Sequence, residues 1–258
     1  MSDIIQDYYK KQADLHGDSW SFAMLDEIIR KKEVDAITDA MRNLSCSCNN
    51  LVLDLGCGNG YVVEQISKIY PQNTYIAADF CDVLLKIAEK HKLSNIELKK
   101  EDARKLSFEN NTFGLIYTER CLINILNRDE QDQAINEIVR VLKSGGYYIM
   151  IECFTDGHEN YNRARKESGL EEIPIPFFNL FFDKKRTLDF LEKDMILLTH
   201  DWVCSNFLSS HYFVTRVLHP LFCKDKNTRN SEFVKFLSSA FPPNGNYSPI
   251  QIFIFKKR

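Results

Sequence analysis

Residues 49–70 read Asn49-Asn50-Leu51-Val52-Leu53-Asp54-Leu55-Gly56-Cys57-Gly58-Asn59-Gly60-Tyr61-Val62-Val63-Glu64-Gln65-Ile66-Ser67-Lys68-Ile69-Tyr70: a short apolar strand, a glycine-rich turn and an amphipathic helix. Glycines spaced this closely let the backbone turn tightly and lie directly against a ligand, because no Cβ stands in the way. A strand that enters such a turn and leaves it as a helix is the opening unit of an α/β fold.

The pattern repeats on the C-terminal side. Residues 73–80 (NTYIAADF) predict a second strand, followed by the helix CDVLLKIAEKH at 81–91. IELKKEDA at 96–103 predicts a third strand and FGLIYTE at 113–119 a fourth. EQDQAINEIVRVLK at 130–143 carries its apolar residues on one helical face, and Ser144-Gly145-Gly146 reads as that helix's C-terminus. GYYIMIECF at 146–154 follows as a fifth strand. Alternating strands and helices imply a mostly parallel sheet with helices on both faces. Beyond Phe154 the rhythm changes. Residues 155–185 turn polar, then aromatic and proline-bearing, without clear alternation; a helix near 186–193 and a strand at 195–203 resume it. Residues 204–240 read as helical and 249–257 as a final strand. The expected organisation is one domain: a helical cap at 1–48, a core at 49–154, covers at 155–185 and 204–245, and the last strand at 249–257.

The turn itself is GxGxG with Asp54 two positions before its first glycine. It lacks the third glycine of the GxGxxG dinucleotide-binding turn. It resembles the first motif of class I S-adenosylmethionine-dependent methyltransferases, and further features fall where that family has them. Asp79-Phe80 closes the second strand, Asp102-Ala103 the third, and LKSGGYYIMIE at 142–152 is similar to the family's helix, turn and fifth strand. The resemblance covers about residues 48–154 and implies a Rossmann-like fold with a seven-stranded sheet. It further implies S-adenosylmethionine as cofactor, with S-adenosylhomocysteine as product. Asp79 then takes the ribose hydroxyls, Asp102 and Ala103 the adenine, and Gly56, Gly58 and Gly60 the amino-acid end. Asp54 orders the loop or receives the donor's amino group, and Thr118 lies beside the sulfur. Tyr8–Ala13 resembles the family's opening helix, which makes Tyr9 and Trp20 candidates to cover the donor and Arg30 a candidate for its carboxylate.

The fourth strand ends in Glu119-Arg120-Cys121-Leu122-Ile123-Asn124, facing the crevice at the carboxyl edge of the sheet. TERCLINI at 118–125, residues 152–183 and residues 246–257 resemble a bacterial subgroup associated with surface-polysaccharide (capsule or O-antigen) biosynthesis. That resemblance implies O-methylation of a small, anionic, sugar-like acceptor, phosphorylated or nucleotide-linked. Arg120, Arg165 and Arg216 offer forked donors to phosphate or carboxylate; Asn124, Asn162 and Asn179 can meet hydroxyls. A hydroxyl acceptor must lose its proton as the methyl arrives. Glu119, Glu152 and His158, at or just past the ends of strands four and five, are the candidate bases.

The bulk numbers narrow the alternatives. With 258 residues, 44% hydrophobic and 27% charged, the chain can bury a sizeable core. A net charge of −3 argues against duplex nucleic acid as a partner. Eight scattered cysteines without a CxxC pair argue against structural zinc and for a reducing, cytoplasmic setting. No carboxylate–histidine cluster suggests a catalytic metal. The N-terminus lacks a signal-type apolar region, and no apolar run is long enough to span a bilayer. N-methylation, methylation of a phosphoramidate or lipid-linked acceptor, RNA methylation and donor binding without catalysis stay open.

Overall fold

The computed structural model describes residues 8–12, 15, 26–44, 50–91, 94–199, 201–223 and 231–258. Its strands are β1 (Leu51–Leu55), β2 (Thr74–Asp79), β3 (Ile96–Lys100), β4 (Phe113–Glu119), β5 (Leu142–Cys153), β6 (Met195–Leu197) and β7 (Ile250–Lys257). They form one sheet in the order β3-β2-β1-β4-β5-β7-β6. The first five run parallel, and β7 lies antiparallel between β5 and β6. The central strands β1 and β4 are covered on both faces, which is why Val52, Leu53 and Leu55, and Leu115, Ile116 and Tyr117, are apolar without alternation.

The helices that position the site are α1 (Glu27–Asn43), α2 (Tyr61–Ile69), α3 (Asp82–Ala88), α4 (Arg128–Val141), α5 (Thr155–Glu167), α6 (Lys184–Leu191), α7 (Ser209–Phe213), α8 (His219–Phe222) and α9 (Glu232–Ala240). Buried apolar side chains of α1, of all strands but the edge strand β3, and of Tyr161 and Tyr212 join one core. Asp26 caps α1, its Oδ1 accepting from the Ile29 N–H at 3.3 Å. Asp26 Oδ2 also lies 2.9 Å from His211 Nε2, and His211 Nδ1 lies 2.7 Å from Ser238 Oγ. This buried chain ties α1 to α7 and α9. Strand order reverses between β1 and β4, so the carboxyl ends of β1, β2 and β4 open onto a common crevice, the usual ligand position in such sheets.

Three expectations need adjustment. The fifth strand begins at Leu142, and Ser144–Gly146 lies inside it instead of ending α4. Leu142 is fully buried opposite Phe113, and the register then jumps to Leu115↔Tyr147, with Gly145 at φ +76° absorbing the irregularity. The sixth strand stops at Leu197, far short of 203. Residues 155–167, for which no regular element was expected, form α5. Its packing fixes Gly157, where any Cβ would overlap the Ser248 carbonyl.

Candidate active site

The glycine turn is pinned from both sides. The N–H groups of Gly56 and Cys57 both donate to the Ala78 carbonyl, at 2.7 and 3.0 Å. Gly56 (φ +88°) has no room for a Cβ, which would fall onto the Cys121 side chain. The Gly58 N–H donates to Asp79 Oδ2 at 2.9 Å and the Cys81 N–H to Asp79 Oδ1 at 2.8 Å. Burial raises the Asp79 carboxyl pKa, and those N–H groups oppose the rise. Asp54 is buried at the end of β1, and its Oδ2 has no hydrogen-bond partner among the described residues. Burial, then repulsion from Glu119, holds its pKa well above the usual carboxylate range.

A cleft of about 100 Å³ opens above this turn. Of the residues expected to hold a cofactor, Tyr9, Arg30, Asp54, Gly56, Gly58, Asp79, Phe80 and Ala103 line it. Trp20 lies outside the described residues. The structure places three others elsewhere. Asp102 is turned into an ion pair with Arg104, whose Nη2 sits 2.6 Å from its Oδ2; its neighbour Glu101 lines the cleft instead. Gly60 starts α2 at φ +81° and packs on α3, where a Cβ would come within 2.9 Å of Ala88 Cβ. Thr118 is buried in the sheet, its Oγ1 2.9 Å from the Tyr148 hydroxyl.

One wall of the cleft is a buried ionic network that the sequence did not announce. Arg30 pairs with Glu119, and Arg120 reaches Glu119 at 2.7 Å and Glu33 at 2.9 Å. For Glu119, burial pushes the pKa up, but Arg30 and Arg120 outweigh it and leave the carboxyl below its usual range. Glu33, fully buried on α1, is pushed up to about 8, burial outweighing Arg120. Of the two, Glu119 therefore keeps the charge. A carboxylate held by two guanidiniums is a poor proton acceptor, so the structure argues against Glu119 as the base. Arg120 itself sits at φ +51°, an unfavourable backbone for a residue with a Cβ.

Glu152 is also redirected. Its Oε1 accepts from the N–H groups of Cys121 (3.2 Å) and Leu122 (3.0 Å), and its Oε2 from that of Ile123 (3.3 Å). Both oxygens hold the turn after β4, and the side chain lines neither this cleft nor the cavity beside it. Burial pushes its pKa up to about 7, against those donors. The folded state thus binds this proton more tightly than the unfolded chain does. The resulting stabilisation is complete below about pH 4.5 and is lost as pH rises through about 7. Melting temperature is expected to fall between about pH 5 and pH 8, and to fall less in Glu152→Gln. Equal slopes in the two proteins would place that titration at another group.

A second cavity, of about 520 Å³, adjoins the first and shares Tyr9, Arg120 and Asn124 with it. At this boundary the Tyr9 hydroxyl donates to Asn124 Oδ1 (3.1 Å), as does Asn179 Nδ2 (3.1 Å), while Asn124 Nδ2 donates to the Arg120 carbonyl (2.9 Å). Tyr8 stacks on Phe178 with ring centroids 4.0 Å apart, closing one side. Phe181 and Phe182 are buried, whereas Phe177 is 75% exposed. Asn124, Asn179, Arg120, Arg216 and His158 line this cavity. His158 packs edge-on against Tyr161 and Phe181, and burial lowers its pKa from the usual histidine value. Asn162 and Arg165, expected at the substrate, do not line it. Asn162 exchanges hydrogen bonds with the backbone of Ile173 (2.9 and 3.0 Å), and Arg165 donates to the carbonyls of Glu171 and Arg216. Both fasten the covering loop. Among the described residues no group of three His, Cys, Asp or Glu side chains is placed to hold a metal, and no helix is long and apolar enough to cross a membrane.

Residues 52–146 match the family model described as a methyltransferase domain. A malonyl-(acyl-carrier protein) O-methyltransferase of Bacillus anthracis is 24% identical over 156 residues, which cover 55% of this chain and 54% of that protein. A ubiquinone/menaquinone biosynthesis C-methyltransferase UbiE of Pseudomonas putida (strain GB-1) is 34% identical over 132 residues, 49% of this chain and 50% of that one. The chain thus spans about half the length of these curated relatives. The solved structure of the (4+2)-cyclase SpnF superposes with a TM-score of 0.57 at 19% identity, covering 86% of this chain and 81% of that one. That likeness concerns the fold alone, since one fold hosts many reactions.

Proposed function

We propose that this chain, whose residues 52–146 match a methyltransferase-domain model, is a class I S-adenosylmethionine-dependent methyltransferase that moves a methyl group from the first cavity to a small acceptor in the second. The observation that carries this reading is the shared boundary at Tyr9, Arg120 and Asn124. Two sites that meet at one wall can hold donor and acceptor in line, and alignment is most of what transfer from an activated methyl requires. The donor, when bound, supplies a methyl already activated on a sulfonium. The residues present fit it: Asp54 Oδ2 is a buried acceptor without a donor among the described residues, a lack that an ammonium would meet. Asp79 and Ala103 line the same cleft, where the carboxylate would take the ribose hydroxyls and the Ala103 backbone the adenine.

For a hydroxyl acceptor, His158 takes the proton. Among the described residues lining the second cavity it is the one whose ordinary pKa lies near neutrality. His158→Gln is expected to lower kcat about a hundredfold with donor affinity unchanged. The wild-type rate should rise with pH through a midpoint below the usual histidine value of about 6.5. An unchanged kcat would favour an amine acceptor that arrives neutral. Within the hydroxyl class, the resemblance to surface-polysaccharide enzymes supports a sugar-like, phosphorylated or nucleotide-linked acceptor, O-methylated in the cytoplasm.

The test is release of S-adenosylhomocysteine with a panel of nucleotide sugars, sugar phosphates, lipids, malonyl thioesters and quinone precursors. We expect turnover with a small acceptor. Turnover with RNA alone would overturn the small-acceptor reading, and absence of S-adenosylmethionine binding by calorimetry would overturn the whole of it.

A further inference from the structure

We infer that Arg216 is the anchor for an anionic group, carboxylate or phosphate, on the molecule that fills the second cavity. The inference rests on reading that cavity as the acceptor site. Arg216 lines the cavity, its side chain is 12% exposed, and its guanidinium makes no hydrogen bond to any described residue. Its Nη1 is wholly buried. The nearest anion is Asp26, whose Oδ2 is 4.0 Å away and already faces His211 Nε2 at 2.9 Å. Tyr212 offers only a ring face, 5.0 Å from the guanidinium carbon. The other arginines near the site are engaged: Arg30 and Arg120 by carboxylates, Arg165 by backbone carbonyls. A guanidinium withdrawn from water without hydrogen bonds is costly, and a carboxylate or phosphate docking on its fork removes that cost.

Two further features agree. Among the described residues no aspartate or glutamate lines this cavity, whereas Arg120 and Arg216 do, and Glu119, which pairs with Arg120, forms no pair with Arg216. The described lining thus offers an incoming group cationic side chains and no anionic one. Arg216 also projects from a π-helical turn, Val214–Leu218, between α7 and α8. Such turns cost regular hydrogen bonding and concentrate at functional sites. The walls are aromatic and proline-rich, with Tyr161, Phe178, Phe181 and Pro174. The ligand class is thus an anion joined to a body that can lie against rings, with its methyl-accepting atom at the Tyr9–Asn124 boundary.

The test compares benzoate and phenyl phosphate with uncharged benzamide, each titrated at millimolar concentration into the full chain by ligand-observed NMR, with and without S-adenosylhomocysteine. At least one anion is expected to bind about tenfold or more tightly than benzamide, and the stronger of the two separates phosphate from carboxylate. Arg216→Gln should erase that preference, and Arg216→Lys should retain only part of it, with S-adenosylhomocysteine affinity kept in both. Equal binding of anion and amide by the wild type, or no binding of any probe, overturns the proposal without recourse to a variant. So does a preference that survives in Arg216→Gln. Loss of S-adenosylhomocysteine binding by the wild type would instead defeat the methyltransferase reading, with the anion preference still measurable without it.

Discussion

Asp79→Ala is expected to weaken S-adenosylhomocysteine binding about a thousandfold, the product of two lost charge-assisted hydrogen bonds. Asp79 stands at the end of β2, with one oxygen held by the Gly58 N–H and the other by the Cys81 N–H. Those bonds orient the carboxylate and leave a lone pair on each oxygen for the two ribose hydroxyls. Alanine removes the acceptors and also the brace between the glycine turn and the start of α3. Asp79→Asn keeps one acceptor and should lie between wild type and alanine. Calorimetry on the purified variants decides it. A loss smaller than tenfold in Asp79→Ala would mean that the ribose is held elsewhere.

Glu33→Ala is expected to destabilise the fold by about 2–3 kcal/mol in urea melts, the usual cost of taking the hydrogen-bond acceptor away from a buried charged donor. Glu33 is fully buried and receives Arg120 Nε at 2.9 Å and Nη2 at 3.3 Å. Without it, Arg120 loses the acceptor of its Nε and Nη2 bonds inside the protein. Glu33→Gln should cost much less at pH 7. Burial pushes the Glu33 pKa up to about 8, so a neutral side chain is close to what the folded protein holds there. By the same sign, the proton bound by Glu33 favours folding at low pH, and that contribution is lost as pH rises through about 8. A Glu33→Ala loss under about 1 kcal/mol would show that Arg120 finds another partner.

This network explains why part of the site was hidden in the sequence. Arg120 and Glu33 lie 87 positions apart, and nothing in the spacing of a charged residue on a helix announces which strand end it will meet. Glu119 and Arg120 did stand out, because a charged pair at the carboxyl end of a strand faces the crevice. The proton affinity of Glu119 was not legible there, because it depends on Arg30 and on other neighbours the chain supplies from elsewhere. Glu152 makes the same point. Its position at the end of β5 suggested a base, but three backbone N–H groups from the turn after β4 occupy it. Asp102 met a different competitor, Arg104 only two residues on, which takes its carboxylate. Asn162 and Arg165 carry the right donors, yet backbone groups of the covering loop and of the π-turn use them.

The sequence by itself determined the strand–turn–helix opening, the parallel core and the place of Asp54 and Asp79 at the strand ends that flank the glycine turn. Those follow from local rules: apolar runs form covered strands, and only glycine fits the left-handed turn against Cys121. The tertiary structure alone decided which charges neutralise one another, which donors are left unpaired, and that two cavities share a wall. Pairing and desolvation arise between residues brought together only when the chain closes. Arg216 is the plainest case, for the folded chain buries its Nη1 and, among the described residues, brings it no acceptor nearer than Asp26 at 4.0 Å.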